Sequence, residues 1–406
     1  MRLTFSSWLA PARAVLAGAL VVGCSTGGAG KAPPPAVGAA TVESASAPRL
    51  EPQMMLVQAS DTADSRRAPG SDPYREALAD AYRAHKGVAT GKNADYIPAL
   101  AKVDSSLYGI VLVTVKGTVY EIGNARSEFS IQSVSKPFTL AWAMESPGLE
   151  AVQKRIGVNA TGQKFNSILA IELNESQKRP PPGNPFVNAG AIATVDLLPA
   201  SDAKAKWEAI IGVHSAFAGR RLSVNEEVYR SESETNTHNR AIVALLQDYE
   251  VVKGDPGEAL DLYTRQCSIS VSAHDLAVMG ATLANGGRNP ITNQQVVSAA
   301  TAGRVLAVMA TAGLYETTGD WMVTAGVPAK SGVGGGIVAV MPGRYAIGTF
   351  GPPLDEAGNS VRGQKAIESI VTRLGGGIFA SRPAGGRAPA AAQGSPPGGA
   401  LVGRGN

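Results

Sequence analysis

The sequence predicts an α+β fold: an antiparallel sheet assembled from N- and C-terminal segments, flanked by helices, with a mostly helical middle region. Three observations carry this. Near the start, β-rich runs at 108–115 and 118–122 flank Lys116-Gly117, the pattern of a hairpin. Near the end, runs at 329–341 and 344–350 flank Pro342-Gly343 in the same way. Between them, from about 150 to 315, apolar residues recur at helical spacing. Strands at both ends with helices between favour one mixed unit over alternating β-α repeats.

Each element has its own local cause. Asp72 is placed to cap a first helix, with Pro73 in its first turn and Leu78, Ala79 and Tyr82 as its apolar face. The first hairpin follows, and residues 131–145 then read as helix. In the middle, 203–217 and 241–249 are clear helical stretches, the former started by Ser201 and Asp202. After the second hairpin a final helix spans 360–374.

Four segments are expected. Residues 1–23 read as a lipoprotein signal peptide: Arg2 and Arg13 precede an apolar run at 14–23, and ten such residues are too short to span about 30 Å of hydrocarbon. Val21-Val22-Gly23-Cys24 has the form of a lipobox, with Cys24 as the lipidated residue. Residues 24–71, rich in Ala, Gly, Pro and Ser, read as a disordered tether, and 381–406 as a disordered tail. The catalytic domain is then 72–380. No inner-membrane retention signal follows Cys24, which has Ser25 next to it. The expected location is the bacterial cell envelope, lipid-anchored and facing the periplasm. Cys267 would be left as a buried, unpaired thiol.

Charge supports this division. The chain has a net charge of +4 and a pI near 9.0. Residues 1–70 hold +2 of it and 381–406 hold +3, which leaves −1 for 71–380. No basic stripe with interleaved aromatics crosses the core, so nucleic acid is excluded as a partner.

Several chemistries are missing. The sequence has no G-x-S-x-G, H-E-x-x-H, C-x-x-C or P-loop. Its four histidines (His85, His214, His238 and His274) are scattered without ligand spacing, so no metal is expected. What remains is S-x-x-K, present twice. Ser201-Asp202-Ala203-Lys204 reads as a helix cap. Ser133-Val134-Ser135-Lys136 instead opens a helix just after the first hairpin. Residues three apart share a helical face, so the Lys136 amine can reach the Ser133 hydroxyl. A serine needs such a base to act as nucleophile, and a lysine serves only where burial or another cation lowers its pKa. The second cation is offered by Lys330-Ser331-Gly332, the chain's only K-[ST]-G. S-x-x-K followed late by K-[ST]-G on a strand is the pattern of serine acyl-transfer enzymes of the penicillin-binding and β-lactamase type.

Longer runs narrow this. Phe129-Ser130-Ile131-Gln132-Ser133-Val134-Ser135-Lys136 and Asn184-Pro185-Phe186-Val187-Asn188-Ala189-Gly190-Ala191-Ile192 resemble the serine-dependent glutaminase family. So do Ala94-Asp95-Tyr96-Ile97-Pro98, Ser231-Glu232-Ser233-Glu234, Tyr263 before Cys267-Ser268-Ile269, Gly313-Leu314-Tyr315 and the run 328–336. The resemblance covers nearly all of 72–377; the stretches 177–183 and 235–238 depart from it.

The resemblance implies a serine β-lactamase-like fold and hydrolysis of L-glutamine to L-glutamate and ammonia without a cofactor, through a γ-glutamyl ester. It implies Ser133 as nucleophile, Lys136 as its base, Tyr315 as proton relay to the leaving ammonia, Tyr96 lining the site and Lys330 as the second cation. The backbone N–H groups of Ser133 and Val333 would form the oxyanion hole. Asn188, Glu232, Asn239, Tyr263 and Tyr315 would hold the substrate. It also implies a homo-oligomer, dimer or tetramer. The set makes chemical sense, since a zwitterion needs one acid for its ammonium and amide or phenol donors for its carboxylate. Taken alone, Glu232 in a polar run reads as a solvated charge.

Two other functions compete. A penicillin-binding or β-lactamase-type acyl-transferase explains S-x-x-K and K-S-G, but only Ser223-Val224-Asn225 approaches its S-D-N element. Glu172-Leu173-Asn174 partly matches a β-lactamase loop, where the base position would be Ala170. A non-catalytic amino-acid-binding lipoprotein would not need Ser133, Lys136 and Lys330 together.

Overall fold

The computed structural model describes residues 72–381. The signal peptide, Cys24, the tether and all but the first residue of the tail lie outside the described residues.

Helix α1 (Pro73–His85) starts on Asp72, whose carboxylate accepts hydrogen bonds from the backbone N–H groups of Tyr74 and Arg75. After the short α2 (Pro98–Ala101), strands β1 (Gly109–Thr114) and β2 (Val119–Gly123) form the first hairpin. Next, β3 (Phe129–Ser130) leads into a 3₁₀ turn, Gln132–Ser135, and then α3 (Lys136–Ala143).

The middle contains α4 (Leu149–Arg155), α5 (Ile168–Ser176), α6 (Asn188–Leu197), α7 (Ala203–Ala218), α8 (Glu226–Glu234), α9 (Thr237–Asp248) and α10 (Pro256–Cys267). The two-residue β4 (Ser270–Val271) pairs with β3. It is followed by α11 (Ala273–Ala284), α12 (Ala299–Ala312), a 3₁₀ turn Tyr315–Thr317, and α13 (Thr318–Thr324). Last come β5 (Ala329–Ser331), β6 (Gly336–Met341), β7 (Tyr345–Phe350) and α14 (Val361–Arg373).

The main sheet has the order β2-β1-β7-β6-β5, antiparallel throughout. The expected joining of first and last segments is the β1–β7 ladder, with Gly109 opposite Phe350 and Val113 opposite Ala346. Alternate residues of each strand enter different cores. Ile110, Leu112, Ile337 and Ile347 pack with Leu78 of α1 and Ile367 and Ile370 of α14. Val111, Val113, Val338 and Ala346 pack on the other face with Leu276 and Ala277 of α11 and the helical middle. Burial on both faces explains why these strands read as continuous apolar runs.

Two sequence expectations are refined and a third holds. The run 329–341 is two strands rather than one, because Gly332 to Gly335 reverse the chain; Gly335 has φ +93°, and Lys330 comes to lie opposite Val338. Helix α9 begins at Thr237, before the expected 241, since its polar first turn hides the apolar period. The second S-x-x-K is a cap: Asp202 accepts from the N–H of Ala205, and Ser201 donates to Asp202.

Candidate active site

The turn Gln132–Ser135 joins the β3–β4 pair to α3, and Gln132 sits at φ +50°. A left-handed glutamine is sparsely populated and persists only where its surroundings hold it, as they do at functional sites. Ser133 follows at once, with 7% of its surface exposed. Lys136, one turn on, is buried; its Nζ donates to the carbonyl of Phe186 at 3.0 Å and to Asn188 Oδ1 at 2.9 Å. Burial lowers its pKa to about 8.

The run around Asn184 builds the wall opposite. Asn184 Oδ1 accepts from the N–H groups of Phe186 and Val187, which turns the Phe186 carbonyl toward Lys136. Asn188 Oδ1 also accepts from the Tyr263 hydroxyl at 3.0 Å, so its Nδ2 is the end that donates to Asn239 Oδ1 at 3.0 Å. Tyr263, on α10, is fully buried, which raises its pKa well above the usual phenol range.

Glu232 is buried on α8, contrary to its local sequence. Burial raises its carboxyl to about 7, against the opposing effects of the Gln132 hydrogen bond and the charge of Lys136. Gln132 Nε2 donates to it at 3.1 Å.

Lys330 and Tyr315 meet on the β5 side. Lys330 is buried, donates to the Ser331 carbonyl at 2.7 Å and lies 4.0 Å from the centre of the Tyr315 ring. Burial first, and Lys136 second, hold its pKa well below the ordinary amine value. Tyr315 stands at φ +58°, the other strained residue of the site. Its hydroxyl donates to the Ser331 carbonyl at 3.3 Å, and burial pushes its pKa up to about 12 against the opposing effects of Ser133 and Ser331. Val333 enters through the 332–335 reversal. A Cβ on Gly332 would lie 3.2 Å from the Ser133 nitrogen and 2.9 Å from the Ile131 carbonyl, so this approach needs glycine.

A cavity of about 110 Å³ is lined by Tyr96, Ser133, Asn188, Glu232, Asn239, Tyr263 and Val333 of the expected set. Tyr96 forms its rim, with 54% of its surface exposed. Lys136, Lys330 and Tyr315 do not line the cavity. A larger open groove of about 430 Å³ between α9 and α10 contains none of the expected residues, so the chemistry assigns the site to the smaller cavity.

Gln132, Phe165, Asn166 and His238 also line the cavity, with no role expected for them from the sequence. Phe165 packs against Tyr315 with ring centres 5.0 Å apart. Only Gln132 carried a signal, its place next to Ser133 in the S-x-x-K run. Cys267 is buried and unpaired, and burial pushes its thiol up. Among the described residues, no group of three or more His, Cys, Asp or Glu side chains is arranged to hold a metal ion.

The arrangement sets a serine hydroxyl and one carboxylate on a small cavity, with an amine whose pKa is lowered to about 8 buried in the same site. A family model described as Glutaminase matches residues 91–379. The chain is 52% identical over 313 residues to the glutaminase of Colwellia psychrerythraea strain 34H, covering 77% of this chain and 99% of that protein. Among solved structures it is similar to the probable glutaminase ybaS, with TM-score 0.74 and 45% identity over 76% of this chain and 99% of that one. It is also similar to Mglu in its glutamate form, with TM-score 0.73 and 37% identity over 77% of this chain and 71% of that one.

Proposed function

The chain belongs to the glutaminase family and hydrolyses L-glutamine to L-glutamate and ammonia; from this premise we propose that the amide is cleaved through a γ-glutamyl ester on Ser133. The penicillin-binding alternative is not favoured. One observation carries the serine reading: Ser133 shares its buried surroundings with two lysines of lowered pKa and faces a cavity holding a single carboxylate.

In this mechanism Glu232 receives the substrate α-ammonium, and Asn188, Asn239 and Tyr263 receive its α-carboxylate. Neutral Lys136 takes the Ser133 proton as Oγ attacks the side-chain amide carbon. The oxyanion meets the backbone N–H groups of Ser133 and Val333. Tyr315 passes a proton to the amide nitrogen and takes the serine-derived proton from Lys136 in return; the C–N bond breaks, ammonia leaves and Lys136 is neutral again. Water then attacks the ester, Lys136 takes its proton, and that proton passes to Ser133 Oγ as the ester bond breaks. Burial is what brings the Lys136 amine toward neutrality.

Replacing the nucleophile is the direct test. Ser133→Ala is expected to lower kcat for glutamine by at least about 10⁴-fold while the protein stays folded. Wild-type ammonia release from that variant would overturn the proposal.

We propose the cellular setting on separate grounds. Cys24 after a cationic and apolar leader supports a lipid-anchored enzyme facing the periplasm, and family membership supports a homo-oligomer. No helix among the described residues is long and apolar enough to cross a membrane.

A further inference from the structure

A buried polar chain lies directly beneath the nucleophile turn, and the mechanism above does not use it. Thr139 on α3, Gln266 on α10 and Ser135 are 2%, 1% and 0% exposed. Ser135 Oγ lies 2.7 Å from the Gln132 carbonyl oxygen, Gln266 Nε2 lies 2.9 Å from Ser135 Oγ, and Thr139 Oγ1 lies 2.7 Å from Gln266 Oε1. The proton positions follow in sequence. A carbonyl only accepts, so the Ser135 hydroxyl proton points at Gln132. Ser135 Oγ must then accept from Gln266, which fixes the amide with Nε2 toward Ser135. Gln266 Oε1 therefore faces Thr139 and accepts its hydroxyl proton. His214 Nε2, 3.2 Å from the Ser135 carbonyl, braces the same residue from α7.

The chain ends on one particular peptide. The Gln132 carbonyl belongs to the peptide unit whose N–H is that of Ser133. That unit is planar and trans, so its C=O and N–H point in opposite directions. Holding the carbonyl from the buried side fixes where the Ser133 N–H aims. Donation into the carbonyl also polarises the N–H, as hydrogen-bonded chains do in a low-dielectric interior. The same bond restrains Gln132 in its left-handed backbone conformation.

We propose that the chain Thr139–Gln266–Ser135 orients and polarises the Ser133 backbone N–H that meets the oxyanion, making these three residues positioning residues for acyl transfer. This rests on the serine acyl-enzyme reading, from which it can fail separately.

The test uses the full-length enzyme carrying Ser135→Ala, Ser135→Thr or Thr139→Val, with kcat and KM for L-glutamine and the inhibition constant of the product L-glutamate. Ser135→Ala is expected to lower kcat about tenfold, less than the about 10²–10³-fold loss from deleting an oxyanion donor, since the N–H is misaimed and not removed. KM and the glutamate constant should stay within about twofold, because neither ground state carries an oxyanion. Ser135→Thr keeps the hydroxyl and should stay within about threefold of the wild-type kcat. Thr139→Val, close to isosteric and at the far end, should lower kcat without changing KM; it decides the matter if Ser135→Ala does not fold. Wild-type kcat in folded Ser135→Ala or in Thr139→Val, equal losses in the Ala and Thr variants, or a change confined to KM would each overturn the proposal. Ser133→Ala separates the two readings. If that variant still turns over, the serine mechanism falls; if it is inactive while Ser135→Ala is fully active, only the positioning role falls.

Discussion

In the proposed mechanism Lys136 accepts a proton from Ser133, so it has to be neutral when substrate arrives. Burial favours the uncharged amine and brings its pKa down to about 8, while Glu232 is brought up to about 7 by the same loss of solvent. The signs combine in one direction. As pH falls through about 8, Lys136 gains a proton and stops acting as a base, and below about 7 Glu232 becomes neutral and loses its hold on the substrate ammonium. A kcat/KM profile for glutamine should therefore rise from pH 6 to pH 9 on both accounts, with its main step near about 8; a flat profile would exclude Lys136 as the base. That Ser133 and Lys136 lie one turn apart was legible, because three-residue spacing is a local relation. Glu232 was legible only through the family resemblance, and its burial was not: its environment is made by Gln132, one hundred positions away in sequence, and its own neighbours Ser231, Ser233 and Glu234 are polar. Charges in polar runs are mostly solvated, and only tertiary packing overrides that.

At the scale of elements, the run from Asn184 to Ile192 shows why a motif needs each of its residues. Asn184 folds the loop back over the start of α6, bringing the Phe186 carbonyl onto Lys136. The loop backbone then passes so close to α6 that a Cβ on Gly190 would lie 1.8 Å from the Asn184 carbonyl oxygen. Gly190→Ala is thus expected to destabilise the enzyme by about 1–3 kcal/mol through overpacking and to lower kcat by shifting the Lys136 acceptor. Thermal melting and steady-state kinetics check this; a variant with unchanged melting temperature and kcat would show that the loop does not position the base. The two hairpins were legible from β-rich runs around Lys116-Gly117 and Pro342-Gly343. The division of 329–341 was not, because Lys330-Ser331-Gly332 and Gly336–Met341 are both β-rich and the reversal lies in a glycine run that also fits a bulged strand.

For the whole molecule, the +4 net charge describes the two ends, and the catalytic core between them is near neutral at −1. The β1–β7 ladder closes one sheet that ends on β5, and β5 packs on the Gln132–Ser135 turn ahead of α3, so Lys136 and Lys330, about two hundred residues apart in sequence, come together in one site. The fold class was legible because strand pairs sat at both ends; which strands neighbour each other was not, since the β1–β7 ladder is a long-range pairing with no local signal. The proposed anchor acts on the chain as a whole: bacteria making the full-length protein should incorporate labelled palmitate into it and not into Cys24→Ala, and equal labelling of both would refute the lipid attachment. The covalent intermediate is the central claim, and one measurement reaches it directly. Enzyme mixed with excess L-glutamine is quenched in acid during turnover, digested, and its peptides weighed. A γ-glutamyl group on the peptide containing Ser133, absent from Ser133→Ala and from enzyme quenched before glutamine is added, is the predicted result. Full turnover with that peptide never modified, together with activity persisting in Ser133→Ala, would contradict it.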